Sequence, residues 1–479
     1  MKKFILFLLT AALAAMPVLP SCNTQKDKNK NGNAEISTGA NGLNFPDYLP
    51  DINFEGYDFR VINTVGQGHL LSTLVVEEET GSPLDDAVFR RNRRMESMFG
   101  FDLIQIEVPN PETARDRVRL IVQSGSDEFD MAMMEPEQAI SLAQDGLLEM
   151  IDNIPHIDLS QPWWDQDMNR DFTISNRLLF TVGDFSLNQY SVTMGIIFNK
   201  VLHSALQLED PYRIVKEGKW TMDAFAKMAR EGKKDLDGNG VYNEFDQWGF
   251  VAPYHVYTPA FIIGMGEKHV IKDQNDLPVL NLSAESFVNR YYKLFDIITE
   301  GWHFDPWKTG IGEPEDMFLN NQTLFWSDLL NWTVKLRAMD NDFGILPMPK
   351  YNEQQNKYIS EGAYPHVMTI PVTITDPERT GIILEALCAE SRLTTLSVYL
   401  DTMLVNQVLD RDEESGEMLD IIFSNRVYDM GKLFWRNLTT GPISNAMSSY
   451  NDDIISVVEK NRDKAESAIA KTVDLFLNG

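Results

Sequence analysis

Residues 102–146 read DLIQIEVPNPETARDRVRLIVQSGSDEFDMAMMEPEQAISLAQDG, and the changes of period within them decide the fold. DLIQIEV (102–108) has the composition of a strand. Ala114, Val118, Ile121 and Val122 then recur at helical spacing, which predicts a helix over 112–124. EFDMAMM (128–134) is the next strand, and a helix from 137 to 148 follows, closed by Gly146. Upstream, YDFRVI (57–62) precedes a helix at 84–99 whose face carries Leu84, Val88, Met95 and Met98. Strands separated by helices imply right-handed βαβ units and a mainly parallel sheet, hence an α/β fold. In such sheets ligands sit beyond the carboxyl ends of the strands, which directs attention to the loops at 63–69 and 134–138.

The pattern continues outward. RLLFTV (177–182) and SVTMGIIFNK (191–200) are strand candidates, and TMDAFAKMAREG (221–232) a helix. Ser283 is an expected N-cap for a helix whose apolar face carries Phe287, Tyr291, Leu294, Phe295 and Ile298. Asp376 is the expected N-cap of a helix that begins with Pro377 and buries Cys388.

The 479 residues include 71 acidic and 42 basic side chains, a formal net charge of −29. Such a surface repels phosphate backbones, so no nucleic-acid partner is expected. A length beyond roughly 300 residues calls for at least two domains. Two cysteines exclude a disulfide scaffold and a Cys-rich zinc site.

Lys2 and Lys3 followed by the apolar run Phe4–Met16 have the form of a signal peptide, residues 1–21, too short to span a bilayer. Leu19-Pro20-Ser21-Cys22 resembles a bacterial lipobox, which implies lipidation of Cys22. The polar stretch that follows lacks the apolar side chains a packed segment needs and predicts a flexible tether over 22–54.

DLDGNGVYNEFD (235–246) matches the twelve-residue EF-hand loop. Asp235, Asp237 and Asn239 supply side-chain oxygens, Gly240 the sharp turn, Val241 a backbone carbonyl, and Asn243 and Asp246 positions nine and twelve. Hard oxygens at these offsets suit Ca2+ in a structural role. A polar turn that binds no metal is the alternative.

Three segments, EFDMAMMEPEQAISLAQDGLLEMID, GIIFNKVLHSALQLEDPYRIVKEGKWTMDAFAKMARE and MFLNNQTLFWSDL with FGILPMPK, resemble the extracellular solute-binding lipoproteins of ABC importers, particularly the large sugar-binding group. That resemblance implies a two-lobe periplasmic-binding-protein-like fold with a hinge between lobes, each a mainly parallel sheet flanked by helices. Lobe one would hold 55–160 plus 312–355, and lobe two 165–310 plus 365–479. It also implies a monomer that delivers a small-molecule carbohydrate to a membrane permease and touches the membrane through its lipid alone.

Sugar sites need flat aromatic faces for C–H patches and planar carboxylates or amides for hydroxyls. Trp163, Trp164 and Asp165 would lie at the lobe crossing; Trp302, Asp305 and Trp307, and Trp326, Asp328 and Trp332, form two further clusters. By analogy with the family, Glu135, Glu137, Gln138, Trp326 and Asp328 face the cleft, with Tyr254 and Tyr364 as additional candidates. Any single tryptophan also suits core packing. The seven histidines show no metal spacing, and GxSxG, GxxxxGK[ST] and strand-linked GxGxxG are absent, so no enzyme is expected. A secreted two-carboxylate carbohydrate-active enzyme and a surface carbohydrate sensor stay open as alternatives.

Overall fold

The computed structural model describes residues 44–65, 73–310, 313–339, 341–401 and 413–478. Its strands are, in chain order, β1 (Tyr57–Thr64), β2 (Phe101–Val108), β3 (Met131–Met134), β4 (Leu148–Glu149), β5 (Met194–Asn199), β6 (Trp248–Val251), β7 (Val270–Lys272), β8 (Pro278–Leu280), β9 (His303–Phe304), β10 (Thr323–Leu329), β11 (Phe343–Leu346), β12 (Ser360–Glu361), β13 (Val367–Pro371) and β14 (Arg426–Val427). One sheet has the order β2-β1-β3-β13-β4 and the other β11-β5-β10-β6-β9. β1 runs parallel to β2 and β3, and β6 runs parallel to β10 and β9. β13 in the first sheet and β5 in the second are antiparallel to their neighbours. The two-lobe α/β architecture is as expected, with sheets more mixed than the sequence suggests.

Every residue of β3, β5, β6 and β10 is buried, as sheets covered on both faces require. The covering helices have legible ends. Asn110 Oδ1 accepts from Thr113 N–H at the start of helix Pro111–Ser124, and Asp376 Oδ1 from Arg379 N–H at the start of helix Pro377–Leu393. Each such cap contributes about 1 kcal/mol. Helix Pro83–Phe99 ends on Gly100, whose left-handed φ of 64° returns its N–H to Glu96 O. Cys388 is fully buried in the first core, as its helical position predicts.

Four expectations are corrected. RLLFTV is no strand: Thr181 forms a single bridge to Met368, because the rest of that edge of β13 is taken by β4. Helix Glu285–Thr299 is preceded by Ala284 at its cap position, and the hydroxyl of Ser283 accepts instead from the Arg462 guanidinium. The return segments also exchange lobes. β10 and β11 flank β5, so 312–355 belongs with the second sheet, whereas β13 at 367–371 completes the first. Lastly, the segment from 44 to 54 is packed: Phe45 lies 6.5 Å from the Phe99 ring, and Phe54 N–H donates to Phe99 O at 2.7 Å. The rest of the expected tether, with Cys22 and the signal peptide, lies outside the described residues.

The C-terminal helices serve both lobes. Ile454 and Val458 enter the second core and Ile469 and Phe476 the first, so helix Ile454–Asn478 runs from one to the other. No helix among the described residues is long and apolar enough to cross a membrane.

Candidate functional site: the edge between the two sheets

Several of the candidate residues follow the carboxyl ends of strands. β3 hands the chain to Glu135 and Glu137, at the start of helix Pro136–Gln144. β6 is followed by Tyr254 and His255, β9 by Asp305 and Trp307, and β10 ends beside Asp328. The loop after β1, expected at 63–69, lies outside the described residues beyond Val65.

Glu135, Glu137, Tyr364, Lys432 and Arg436 line a cavity of about 10 Å3, the space of roughly one water molecule. Lys432 and Arg436 come from helix Met430–Trp435 and the residue after it. Lys432 Nζ stands 2.6 Å from Glu361 Oε1 and 4.5 Å from the centroid of the Tyr364 ring. Both charged side chains are at most 2% exposed. Burial opposes the lysine's charge, but Glu361 outweighs it and holds the ammonium above its ordinary pKa. The second carboxylate oxygen, Glu361 Oε2, accepts no hydrogen bond from any described residue. Alongside, Arg436 Nη2 meets Glu137 Oε2 at 3.1 Å. Burial pushes the Glu135 carboxyl upward, with Arg436 opposing.

The second sheet contributes an aromatic edge. Asp305 organises it: Oδ2 accepts from Tyr254 N–H at 2.9 Å, and Oδ1 from the N–H groups of Trp307 (3.0 Å) and Lys308 (3.2 Å). The Trp307 indole lies 4.6 Å from the His255 imidazole at 32°. Burial, then the nearby charges of Lys432 and Arg436, depress the His255 pKa to about 4. Asp328 is pushed up to about 7 by burial, with Glu315 adding to the rise.

Of the residues singled out in the sequence, Glu135, Glu137 and Tyr364 meet in the cavity, Tyr254 and Trp307 meet at His255, and Asp328 lies near the end of β10. The others are structural. The Trp163 and Trp164 indoles donate to buried Glu385 at 3.0 and 2.8 Å. Asp165 caps helix Gln166–Phe172 through Met168 N–H and pairs with Arg426 at 2.9 Å. Gln138 accepts from Arg115 at 3.0 Å. Trp302 is in the second core, 5.8 Å from Phe225. Trp326 is fully buried between Phe318 and Trp332, because its face of β10 is covered. Lys432, Glu361, Arg436 and His255 were not anticipated. A lysine inside the otherwise apolar MGKLFW was the available signal, since a buried lysine needs a partner.

In the Asp235–Asp246 loop, the carboxylates of Asp235, Asp237 and Asp246 each place an oxygen within 4.8 Å of the others. Asp235 accepts from the N–H groups of Gly238 and Gly240, which adopt φ values of 72° and 78°. Asn239 Oδ1 accepts from Val241 N–H, Asn243 Oδ1 from Phe245 N–H, and Asp246 from Leu236 and Asn243 N–H. Reciprocal bonds between Lys234 and Gln247 close the base, and β6 leads out extended rather than helical. The donor set, all hard oxygen, fits a calcium ion.

The chain thus combines two mixed sheets with a C-terminal helix that enters both cores. No protein-family model matches the chain, and no curated protein matches its sequence. Solved structures share the fold. The sugar-binding protein MalE of Xanthomonas citri is similar at a TM-score of 0.61 and 13% identity, over 88% of this chain and 100% of that one. The ABC substrate-binding protein Lmo0181 of Listeria monocytogenes, in complex with cycloalternan, gives 0.56 and 12%, over 87% and 99%. UgpB of Mycobacterium tuberculosis, in complex with glycerophosphocholine, gives 0.56 and 14%, over 87% and 99%.

Proposed function

We propose that this chain is a lipid-anchored receptor that clamps a carbohydrate between its two lobes and presents it to an ABC permease. The observation that carries the reading is the Lys432–Glu361 pair. A buried carboxylate oxygen without a partner costs about 1–3 kcal/mol. A sugar hydroxyl relieves that cost, because it donates to Glu361 Oε2 while its own oxygen accepts from the neighbouring ammonium. Tyr364 and the Trp307–His255 edge supply the flat faces that C–H patches require. In the same reading Glu135 and Glu137 accept further hydroxyls, and the small cavity belongs to a closed state that opens to admit ligand. Contact with both lobes then stabilises closure, which the permease reads as a population shift. Solved structures of like fold include a sugar-binding protein and complexes with cycloalternan and maltotriose, which supports the sugar class.

The test is a thermal-shift screen across mono- and oligosaccharides, followed by product analysis. A specific sugar should raise the melting temperature by mass action and be recovered intact. Hydrolysis of that sugar would replace the receptor with a carbohydrate-active enzyme.

The same proposal includes lipidation at Cys22, which mass spectrometry of membrane-extracted protein tests directly. It also includes a structural calcium ion held by Asp235, Asp237, Asn239, the Val241 carbonyl, Asn243 and Asp246. The ion would offset the mutual repulsion of three converging carboxylates and fix the approach to β6.

A further inference from the structure

We propose that the loop Asp235–Asp246 seats its apolar side chains in the lipid bilayer, a second membrane contact besides the lipid at Cys22, which leaves the candidate site open to solution. This inference rests on the lipid-anchored part of the reading above and goes beyond it.

The polarity of the loop is inverted. Leu236 is 50% exposed, Val241 62%, Tyr242 42% and Phe245 69%, whereas Asp246 is buried. No other stretch of ten described residues exposes four large apolar side chains. Asp235 turns inward to the N–H groups of Gly238 at 2.6 Å and Gly240 at 2.8 Å, and Asp246 to those of Leu236 at 2.9 Å and Asn243 at 3.0 Å. A loop that faces only water does the reverse, and an exposed apolar cluster marks a contact surface.

The apolar side chains stand on a fixed backbone. Asn239 Oδ1 accepts from Val241 N–H at 2.6 Å and Asn243 Oδ1 from Phe245 N–H at 2.8 Å, so the loop itself holds the two most exposed of the four. Trp248 Nε1–H donates to Asn243 O and Gln322 Nε2–H to Glu244 O, both at 2.8 Å, which ties the loop to β6 and to the start of β10. Lys233 Nζ lies 3.8 Å from the centroid of the Tyr242 ring, which is itself 5.8 Å from the Trp248 ring. The tip is therefore shaped before any partner arrives.

Three features identify the partner as a lipid surface. Aliphatic and aromatic tips ringed by lysines suit a bilayer interface, and the exposed Lys227 and Lys234 have the long stems that carry an ammonium to headgroup phosphates. The segment 227–246 carries four cations against five anions on a chain of net charge −29, so local repulsion from a lipid plane is small. And the bilayer is always near. Residues 23–43, between Cys22 and the first described residue, span at most about 75 Å, while a folded body of this length has a radius of gyration of about 22 Å. A contact too weak to hold a free protein then suffices for a tethered one. The loop enters β6 at its amino end and Tyr254 follows its carboxyl end, roughly 13 Å along the strand, so a seated loop does not cover the candidate site.

The experiment holds the mature chain on phosphatidylcholine vesicles in a calcium-containing buffer, in two formats: by its own lipid, and with Cys22→Ser by an N-terminal histidine tag on a chelating lipid. A fluorophore is placed on Lys234→Cys at the base of the loop, or on Lys464→Cys in helix Ile454–Asn478; both lysines are exposed, and Cys388 is buried from the label. Nitroxide-bearing lipid should quench the dye at 234 and leave the dye at 464 bright, in both formats. Leu236→Ser with Val241→Ser should lower the ratio of seated to unseated chains about 10-fold, the scale for withdrawing two aliphatic side chains from lipid. Melting curves of this variant report folding separately, and Phe245→Ser repeats the test at a single position. No quenching at 234, equal quenching at both positions, or quenching indifferent to these substitutions overturns the proposal. Sedimentation that shows a dimer without vesicles, lost in the same variants, overturns it in favour of a second copy of the chain. Quenching in the tagged format alone, with no acyl chain found on Cys22, overturns the lipid anchor and leaves the loop contact standing.

Discussion

Lys432 Nζ lies 2.6 Å from Glu361 Oε1, and neither side chain is more than 2% exposed. Glu361 belongs to β12, which pairs with β14, and Lys432 to the helix that follows β14. The pair thus joins a crossing segment to the wall of the cavity, and its stability and binding roles can be separated.

Removing one partner strands the other. Lys432→Ala leaves an uncompensated buried carboxylate and should cost about 3–5 kcal/mol in urea unfolding. The double replacement Lys432→Met with Glu361→Leu should restore most of that stability yet bind no saccharide. Retained affinity in the double variant would remove the pair from the site.

The tryptophans at 163 and 164 should behave in the opposite way. Glu385 is fully buried and accepts from both indoles, from Asp158 N–H and from the Tyr48 hydroxyl. Trp164→Phe deletes one donor to this carboxylate and should lower stability by about 1–3 kcal/mol. Saccharide affinity should stay at the wild-type value, which calorimetry checks.

Asp328 predicts a pH dependence. Its carboxyl is pushed up to about 7 in the fold, against about 3.9 in the unfolded chain. The native state therefore binds more protons across that interval, and this group's contribution to stability falls as pH rises from about 4 to 7. His255, depressed to about 4, contributes the opposite slope below about 6.5. Comparison of wild type with Asp328→Asn by chemical denaturation across this window isolates the aspartate: the variant should lose relatively less stability on going to pH 7. Parallel curves would show that Asp328 ionises normally.

For the calcium loop, EDTA should lower the melting temperature and added Ca2+ restore it. Asp246→Ala should abolish the response, because Asp246 also holds the Leu236 and Asn243 N–H groups. An EDTA-insensitive melting curve would make the loop a metal-free turn.

The periodicity of residues 102–146 was sufficient to place two strands and two helices, because parallel strands buried on both faces and amphipathic helices have distinct repeats. Caps at Asn110 and Asp376 are local and therefore readable. Strand pairing is not local. Nothing in TLFWSDL states that β10 lies beside β5, and so the assignment of 312–355 went to the wrong lobe. The site divides along the same line. Glu135 and Glu137 follow a strand end and were accessible by rule. Trp163 and Trp164 carry the same composition signal as Trp307, but burial beside Glu385 rather than exposure beside His255 decides their role. Glu361 and Lys432 lie 71 residues apart in sequence and acquire meaning only through the ion pair.

The central claim, a receptor that binds carbohydrate at the Lys432–Glu361 edge, is tested most directly by titrating the full chain calorimetrically with the saccharide that best raises its melting temperature, alongside Glu361→Gln. The account predicts one-to-one binding, recovery of the sugar unchanged, and at least a tenfold weaker affinity in the variant, a loss of about 1.4 kcal/mol. Equal affinity in Glu361→Gln, or turnover of the sugar by the wild type, would contradict it.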